Sequence, residues 1–327
     1  GNLYRRNNLI TKSIAKNMKH FLRICATLLL CNTAFAQKIL PRVQFIKETS
    51  EKVQLDKNKF EIIASEKPVK SFKLAEEFLL EKLDKFSTTA EATPVKLYLA
   101  LAGDPIFANT SLASLKLDKA QEYVVRFHKV GDSLNIYAAA SDNRGLFYSA
   151  ATLCELIDDS GLLSLHEIHD YPHWELRYTG GYNPISLQSM KQLARFKING
   201  YGIQHRYDWK RFKAEEYPKY AQKANYRDWF EEISSFRSNY GDLIDFMMMI
   251  NLYCGEKFDV SKPEDMLLLK EQCLFAANYV QEIMLQFDDF TPQENSQYTF
   301  VSEAEKEKFA DPGQVHGYIT RQIYETL

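Results

Sequence analysis

Ile283-Met284-Leu285-Gln286-Phe287-Asp288-Asp289-Phe290 is an apolar run that ends in two adjacent carboxylates. Read as a strand, it delivers both acids at its C-terminal tip, where parallel α/β proteins gather the loops of an active site. Two acids in that position point to hydrolysis of a sugar. A solvated turn or a helix cap is the competing reading of an Asp-Asp pair. Successive strand residues point to opposite faces. Both acids can therefore reach one substrate only if the chain leaves strand geometry at Asp288, and Phe290-Thr291-Pro292 supplies a break.

Upstream, the sequence alternates between strand and helix patterns. Residues 175–181 read as a strand, 186–197 as a helix, 200–205 as a strand and 226–240 as a helix. Residues 243–252 form a near-continuous apolar strand of the kind buried on both faces. Met247-Met248-Met249 within it is most simply core. Ser261-Lys262-Pro263-Glu264 supplies a capping box and a first-turn proline for the next helix. The acid-tipped strand follows, and Val315, Ile319 and Ile323 mark a last helix from about Pro312. Four βα units in series imply parallel strands with right-handed crossovers, the first half of a (β/α)8 TIM-type barrel. A complete barrel takes ~250 residues, and about 155 follow Tyr171. The chain is therefore expected to be part of a longer protein, with an open α/β sheet as the alternative. A half barrel leaves a bare sheet edge and apolar face, so this stretch by itself is expected to be inactive.

Residues 38–165 follow a different rhythm. Phe72, Ala75, Leu79, Leu83 and Phe86 recur at helical spacing, and 95–99 alternates as a half-buried strand. Gly131-Asp132 separates two strand patterns, 123–130 and 133–138, as a hairpin turn. Ser141-Asp142-Asn143 can cap a helix over 145–157. The fold class is thus α/β: a small α+β N-terminal domain over 37–168, then a partial barrel over 169–327.

Residues 1–36 fall outside both. Met18-Lys19-His20-Phe21-Leu22-Arg23 is basic, 24–31 is apolar, and Ala34-Phe35-Ala36 is small. That order is a secretory signal, too short to span a bilayer. Cleavage is expected after Ala36, giving a secreted or periplasmic protein without stable membrane insertion. Leu28-Leu29-Leu30 before Cys31 lacks the small residues of a lipoprotein signal, which favours free export. Removing 1–36 takes six Lys/Arg and no Asp/Glu from totals of 41 and 43, leaving a net charge of −8. Such a charge argues against nucleic acid as a partner and suits a neutral carbohydrate. Cys154, Cys254 and Cys273 remain, an odd number without CxxC spacing. They form neither a disulfide framework nor a zinc site and read as buried filler.

The segment Asn143-Arg144-Gly145-Leu146-Phe147-Tyr148-Ser149-Ala150-Ala151-Thr152-Leu153, followed by Asp170-Tyr171-Pro172 and Trp174-Glu175-Leu176-Arg177, resembles the domain that precedes the barrel in β-N-acetylhexosaminidases. Similar domains precede other exo-glycosidase barrels, α-glucuronidases among them. Arg177-Tyr178-Thr179-Gly180-Gly181-Tyr182, Lys197-Ile198-Asn199-Gly200-Tyr201 and Phe287-Asp288-Asp289 together resemble glycoside hydrolase family 84, the O-GlcNAcase and hyaluronidase-like β-N-acetylglucosaminidases. The resemblance implies substrate-assisted hydrolysis without a cofactor or metal: the sugar's 2-acetamido carbonyl attacks the anomeric carbon. It implies that Asp288 orients the acetamido N–H and that Asp289 is the general acid/base. Neighbouring carboxylates resist double ionisation, which suits that division.

The chain departs from the family at two loops. A Gly-Phe-Tyr-Gly-like segment is replaced by Gly181-Tyr182-Asn183-Pro184, and a lysine-bearing segment by Gln204-His205-Arg206-Tyr207-Asp208. Gly181 and Tyr182 remain candidate sugar contacts, with His205 or Arg206 in the lysine's place. A catalytically silent carbohydrate-binding relative stays open, as does another exo-glycosidase such as an α-glucuronidase. His166-Glu167-Ile168-His169 is one residue short of the zinc-protease spacing and reads as a surface strand or loop in the linker. Tyr201, Tyr207, Trp209, Phe212 and Tyr217 are either a sugar-stacking platform or packing. No phosphate loop and no GxSxG elbow is present.

Overall fold

The computed structural model describes residues 39, 41–86, 91–181, 185–205, 226–252, 258–287 and 300–327, with backbone alone at 204–205 and 226–228. Val43–Leu327 forms one compact unit; Gly1–Arg42 is a separate one that contributes no element among the described residues. The expected signal segment lies outside the described residues. Among those described, no helix is long and apolar enough to cross a membrane.

The first half of the compact unit is built on a six-stranded mixed sheet. Its strands are β1 (Phe45–Lys47), β3 (Phe60–Ala64), β4 (Val95–Leu101), β5 (Tyr123–Val130), β6 (Ser133–Ala140) and β8 (Glu167–Asp170), in the order β1-β8-β5-β6-β4-β3. The β5–β6 hairpin forms as expected around Gly131, which takes the positive φ its turn requires. A separate ribbon pairs β2 (Lys52–Gln54) with β7 (Leu162–Ser164). Two helices, α1 (Ser71–Leu83) and α2 (Asn143–Leu156), pack against each other beside the sheet. Asp142 caps α2 by accepting the Gly145 N–H at 2.8 Å. Gly145 is required there, because a Cβ would lie 2.7 Å from the Glu122 carbonyl oxygen. Across the sheet, Phe107, Leu112, Val124, Tyr137 and Ala139 form a second small core.

The second half is a four-stranded, wholly parallel sheet of β9 (Tyr178–Gly181), β10 (Gly200–His205), β11 (Asp245–Asn251) and β12 (Glu282–Gln286), in the order β12-β11-β10-β9. The connecting helices are α3 (Leu187–Arg195), α4 (Tyr226–Tyr240) and α5 (Pro263–Ala276). After β12 come α6 (Glu303–Lys308) and α7 (Pro312–Tyr324), the latter packed on α5. The expected series of parallel strands is present, in sequential order. One face of the sheet is buried: Tyr201, Ile203, Phe246, Met248 and Ile250 lie in the core with Trp229, Phe230 and Phe236 of α4.

Several local expectations are corrected. The strand over 243–252 is not buried on both faces; Met247 and Met249 are half-buried where Phe246, Met248 and Ile250 are buried. The strand expected over 175–181 is shortened to Tyr178–Gly181. Asn199 takes over the preceding backbone, accepting the Arg177 N–H at 2.7 Å and donating to the Glu175 carbonyl at 2.7 Å. The capping box at 261–264 does not form. Ser261 donates its hydroxyl to the buried Asp259 carboxylate at 2.6 Å, a charged acceptor that outcompetes a backbone N–H cap, and Lys262 begins the helix with no side-chain cap. His166-Glu167-Ile168-His169 is not a surface linker: β8 lies between β1 and β5, with Ile168 fully buried. Its histidines face separate partners, the Thr49 N–H and the Glu122 carboxylate.

The two sheets are joined by a buried polar knot. Lys197 Nζ donates to Asp170 Oδ2 at 2.8 Å and to the Tyr123 hydroxyl at 2.7 Å, and Tyr123 also bonds Asp170 and Thr152. Burial pushes the Lys197 ammonium below its ordinary range, and Asp170 pulls it back up. Beside it, Arg177 binds the Lys197 carbonyl, the Gln121 side chain and the Tyr148 hydroxyl. Removing one partner of a buried pair leaves an uncompensated charge, at a cost of about 3–5 kcal/mol. Lys197→Met is therefore expected to lower the unfolding free energy by about that amount, read from denaturant titration at neutral pH. An unchanged midpoint would contradict the reading.

Candidate active site

The register of the parallel sheet sets which residues share its less buried face. Tyr178, Gly200 and Asp245 form one row, and Gly180, Gly202, Met247 and Glu282 the next. Met249 pairs with Met284, and Asn251 with Gln286. The base of this face is occupied. The Tyr178 ring lies against Gly200, where a Cβ would come within 2.6 Å of ring carbons, and its hydroxyl donates to Glu282 at 2.8 Å. Burial and the Glu282 carboxylate push the Tyr178 phenol well above its ordinary value, so it stays a neutral donor. Arg144 of α2 pairs with Asp245 at 2.7 Å.

Higher up, glycines keep the strands close and the face low. A Cβ on Gly180 would lie 2.6 Å from the Gly202 carbonyl oxygen. The Met247 and Met249 methyl groups fold over Gly202, at 2.9 and 3.0 Å from where its Cβ would be. Met284 of β12 is 43% exposed on the same face. At the tip, the Leu252 N–H donates to the Gln286 carbonyl at 3.1 Å, extending the ladder beyond Asn251. Asn251 is buried at this end. Its signal in the sequence is an amide closing an otherwise apolar strand.

Gly181 ends β9 with the Tyr201 hydroxyl 3.2 Å from its Cβ direction. His205 ends β10 in register with Ile250. Gly181 and His205 thus stand at the C-terminal ends of adjacent strands, the end expected for a site. Tyr182, Arg206, Asp288 and Asp289 lie outside the described residues, as do Tyr207, Trp209, Phe212 and Tyr217. Tyr201 is buried in β10 and belongs to the packing. Phe287, the residue before Asp288, stacks on His316 of α7 with ring centroids 4.3 Å apart and planes at 22°. Burial holds the His316 imidazole below its ordinary value. This support was not visible in sequence, where Phe287 and His316 are far apart. Among the described residues, no three His, Cys, Asp or Glu side chains converge in a way that could hold a metal ion. Cys154 and Cys273 are buried free thiols pushed up to about 12 by burial, so neither is a ready nucleophile.

No family model matches the sequence, and no curated protein does. Solved structures do. A family GH20 exo-β-N-acetylglucosaminidase from Vibrio harveyi, in complex with N-acetylglucosamine, aligns with a TM-score of 0.60 at 15% identity, over 89% of this chain and 53% of its own. CpGH84B aligns with a TM-score of 0.50 at 17% identity, over 82% of this chain and 46% of its own. CpGH84D gives 0.50 at 18% identity, over 83% and 47%. The chain spans about half the length of these proteins. It has the mixed α/β fold of their corresponding part, a hexosaminidase and GH84-like fold.

The glycines of the face make a direct contrast. At Gly180 an added methyl meets rigid backbone, whereas at Gly202 it meets the mobile ends of two methionines. Gly180→Ala is expected to cost about 1–3 kcal/mol in denaturant unfolding, and Gly202→Ala distinctly less. Equal costs, or the reverse order, would show that the strands do not approach as described.

Proposed function

We propose that this chain carries the leading domain and first four βα units of a (β/α)8 barrel glycosidase that removes terminal β-linked N-acetylhexosamine by substrate-assisted, retaining hydrolysis. The observation that carries the reading is the parallel sheet in sequential order behind a mixed leading sheet, with Asp288-Asp289 following its fourth strand. Barrels place their chemistry at the C-terminal ends of strands, and the likeness in fold to N-acetylglucosaminidases points to the same class of sugar. The leading domain is proposed to span 37–168 and the barrel part 169–327. Export, with cleavage after Ala36, is part of the proposal.

In this reading the substrate's acetamido oxygen attacks the anomeric carbon as the glycosidic bond breaks. Asp288 accepts the acetamido N–H and so raises the nucleophilicity of the carbonyl oxygen. Asp289 gives its proton to the departing oxygen, and an oxazoline forms. Asp289, now a carboxylate, takes a proton from water as that water opens the oxazoline at the anomeric carbon. Two inversions give net retention. Gly181 and Tyr182 are the proposed sugar contacts after the first strand, with His205 or Arg206 taking the place of the family's lysine after the second. A sugar-binding protein without turnover is the second reading, favoured by the absence of the family's lysine from Gln204-His205-Arg206-Tyr207-Asp208.

The test uses the protein expressed from its complete reading frame on an aryl β-N-acetylglucosaminide. Asp289→Asn is expected to lower turnover about 10²- to 10⁴-fold, the usual range for a lost general acid. Equal turnover by wild type and variant would sink the mechanism. Saturable binding of N-acetylglucosamine with no turnover by wild type would favour the silent relative.

A further inference from the structure

Arg144 stands in the first turn of α2, the end at which a helix dipole disfavours a cation. Its partners lie outside the helix and outside the leading sheet. The guanidinium donates from Nε to the Asp242 carbonyl at 3.0 Å, and its Nη2 lies 2.7 Å from Asp245 Oδ1. Asp242 belongs to the turn that begins at Gly241, whose φ is +77°, and Asp245 is the first residue of β11. One side chain of the leading helix thus holds both the turn into β11 and the strand's first carboxylate. The side chains of Arg144 and Asp245 are 17% and 19% exposed, so the pair is largely withdrawn from water.

The surroundings of Asp245 supply no second counter-charge among the described residues. In its own row stands the Tyr178 phenol of β9, which donates to the Glu282 carboxylate of β12. Burial, Glu282 and Asp245 all push that phenol up, and Arg144 opposes them. In the turn, the Asp242 carboxylate takes Arg237 of α4 at 2.9 Å. Through its backbone, Asp245 is tied to β10, since its N–H donates to the Asn199 carbonyl at 2.8 Å. We infer that Arg144 is an ionic latch between the two parts of the chain: the leading domain supplies the charge that balances Asp245 at the base of the parallel sheet. The leading domain is then a working part of that sheet's stability, not a separable attachment. Removing the guanidinium leaves a carboxylate largely out of water, a state relieved when the carboxyl takes up a proton. Its loss therefore costs most at high pH and less toward acid. Removing the carboxylate instead leaves a guanidinium that does not give up its proton, so that cost does not change with pH.

The protein expressed from its complete reading frame is melted at pH 8 and at pH 5. Arg144→Met keeps an apolar stem of similar reach and removes the charge. It is expected to lower Tm by about 5–10 °C at pH 8, the scale of a broken and largely buried pair, and by less than half of that at pH 5. Asp245→Asn is expected to lower Tm equally at the two pH values. The double variant, in which neither charge is left alone, is expected to recover at least half of the loss that Arg144→Met shows at pH 8. A loss from Arg144→Met that is the same at both pH values would mean lost packing and would overturn the latch. So would a double variant that melts no higher than Arg144→Met at pH 8. Should Arg144→Met not fold, Asp245→Asn decides the matter: an unchanged Tm would show that the pair holds nothing.

Discussion

Lys197, Asp170 and Tyr123 form the joint on which the arrangement of the two sheets depends. Asp170 ends β8 of the mixed sheet, Tyr123 opens β5, and Lys197 lies between α3 and β10 of the parallel sheet, so one buried ion pair spans both layers. Arg177, Gln121 and Asn199 extend the joint by bonding backbone on either side of it. Gln121 and Lys197 are the two non-glycine residues with positive φ among the described residues, and both sit here. Such backbone is held only where its surroundings over-determine it, and this polar knot supplies that restraint.

The joint lies at the N-terminal base of β9 and β10, which assigns the two ends of the parallel sheet different work. At the base, Tyr178–Glu282 and Arg144–Asp245 use up the polar groups in pairs. At the tip stand the ends of β9 and β10, Gly181 and His205, and the buried Asn251 closing β11. The base thus carries paired polar groups that stabilise the sheet, and the tip is the end at which parallel βα architectures usually place chemistry.

The sequence showed those parts of the fold whose signals are local. The Asp142 cap, the Gly131 hairpin and the alternation of apolar strands with amphipathic helices each appear within a dozen residues, and each has its counterpart in the structure. The strands β1, β2 and β7 were missed because three residues carry no measurable period. Strand β8 was hidden because Ile168 is its one apolar residue, with the polar His169 and Asp170 engaged by Glu122 and Lys197 from other elements. The capping box at 261–264 failed for a similar reason: Asp259, buried by contacts with a helix more than forty residues away, claimed the serine. At the candidate site the acid pair was legible as a motif. The stack of Phe287 on His316 and the Glu305 carboxylate bridging Val260 and Val301 were not, because both depend on the folded topology and leave no spacing to read.

The central claim is that the acids after β12 serve a reaction in which the substrate's own acetamide is the nucleophile. The most direct measurement is kcat/KM for a series of aryl β-glucosaminides whose N-acetyl group is replaced by mono-, di- and trifluoroacetyl, each fluorine weakening the carbonyl oxygen as a nucleophile. The account predicts a steep, monotonic fall across the series. A flat series would mean that a protein side chain attacks the anomeric carbon, and would contradict the account.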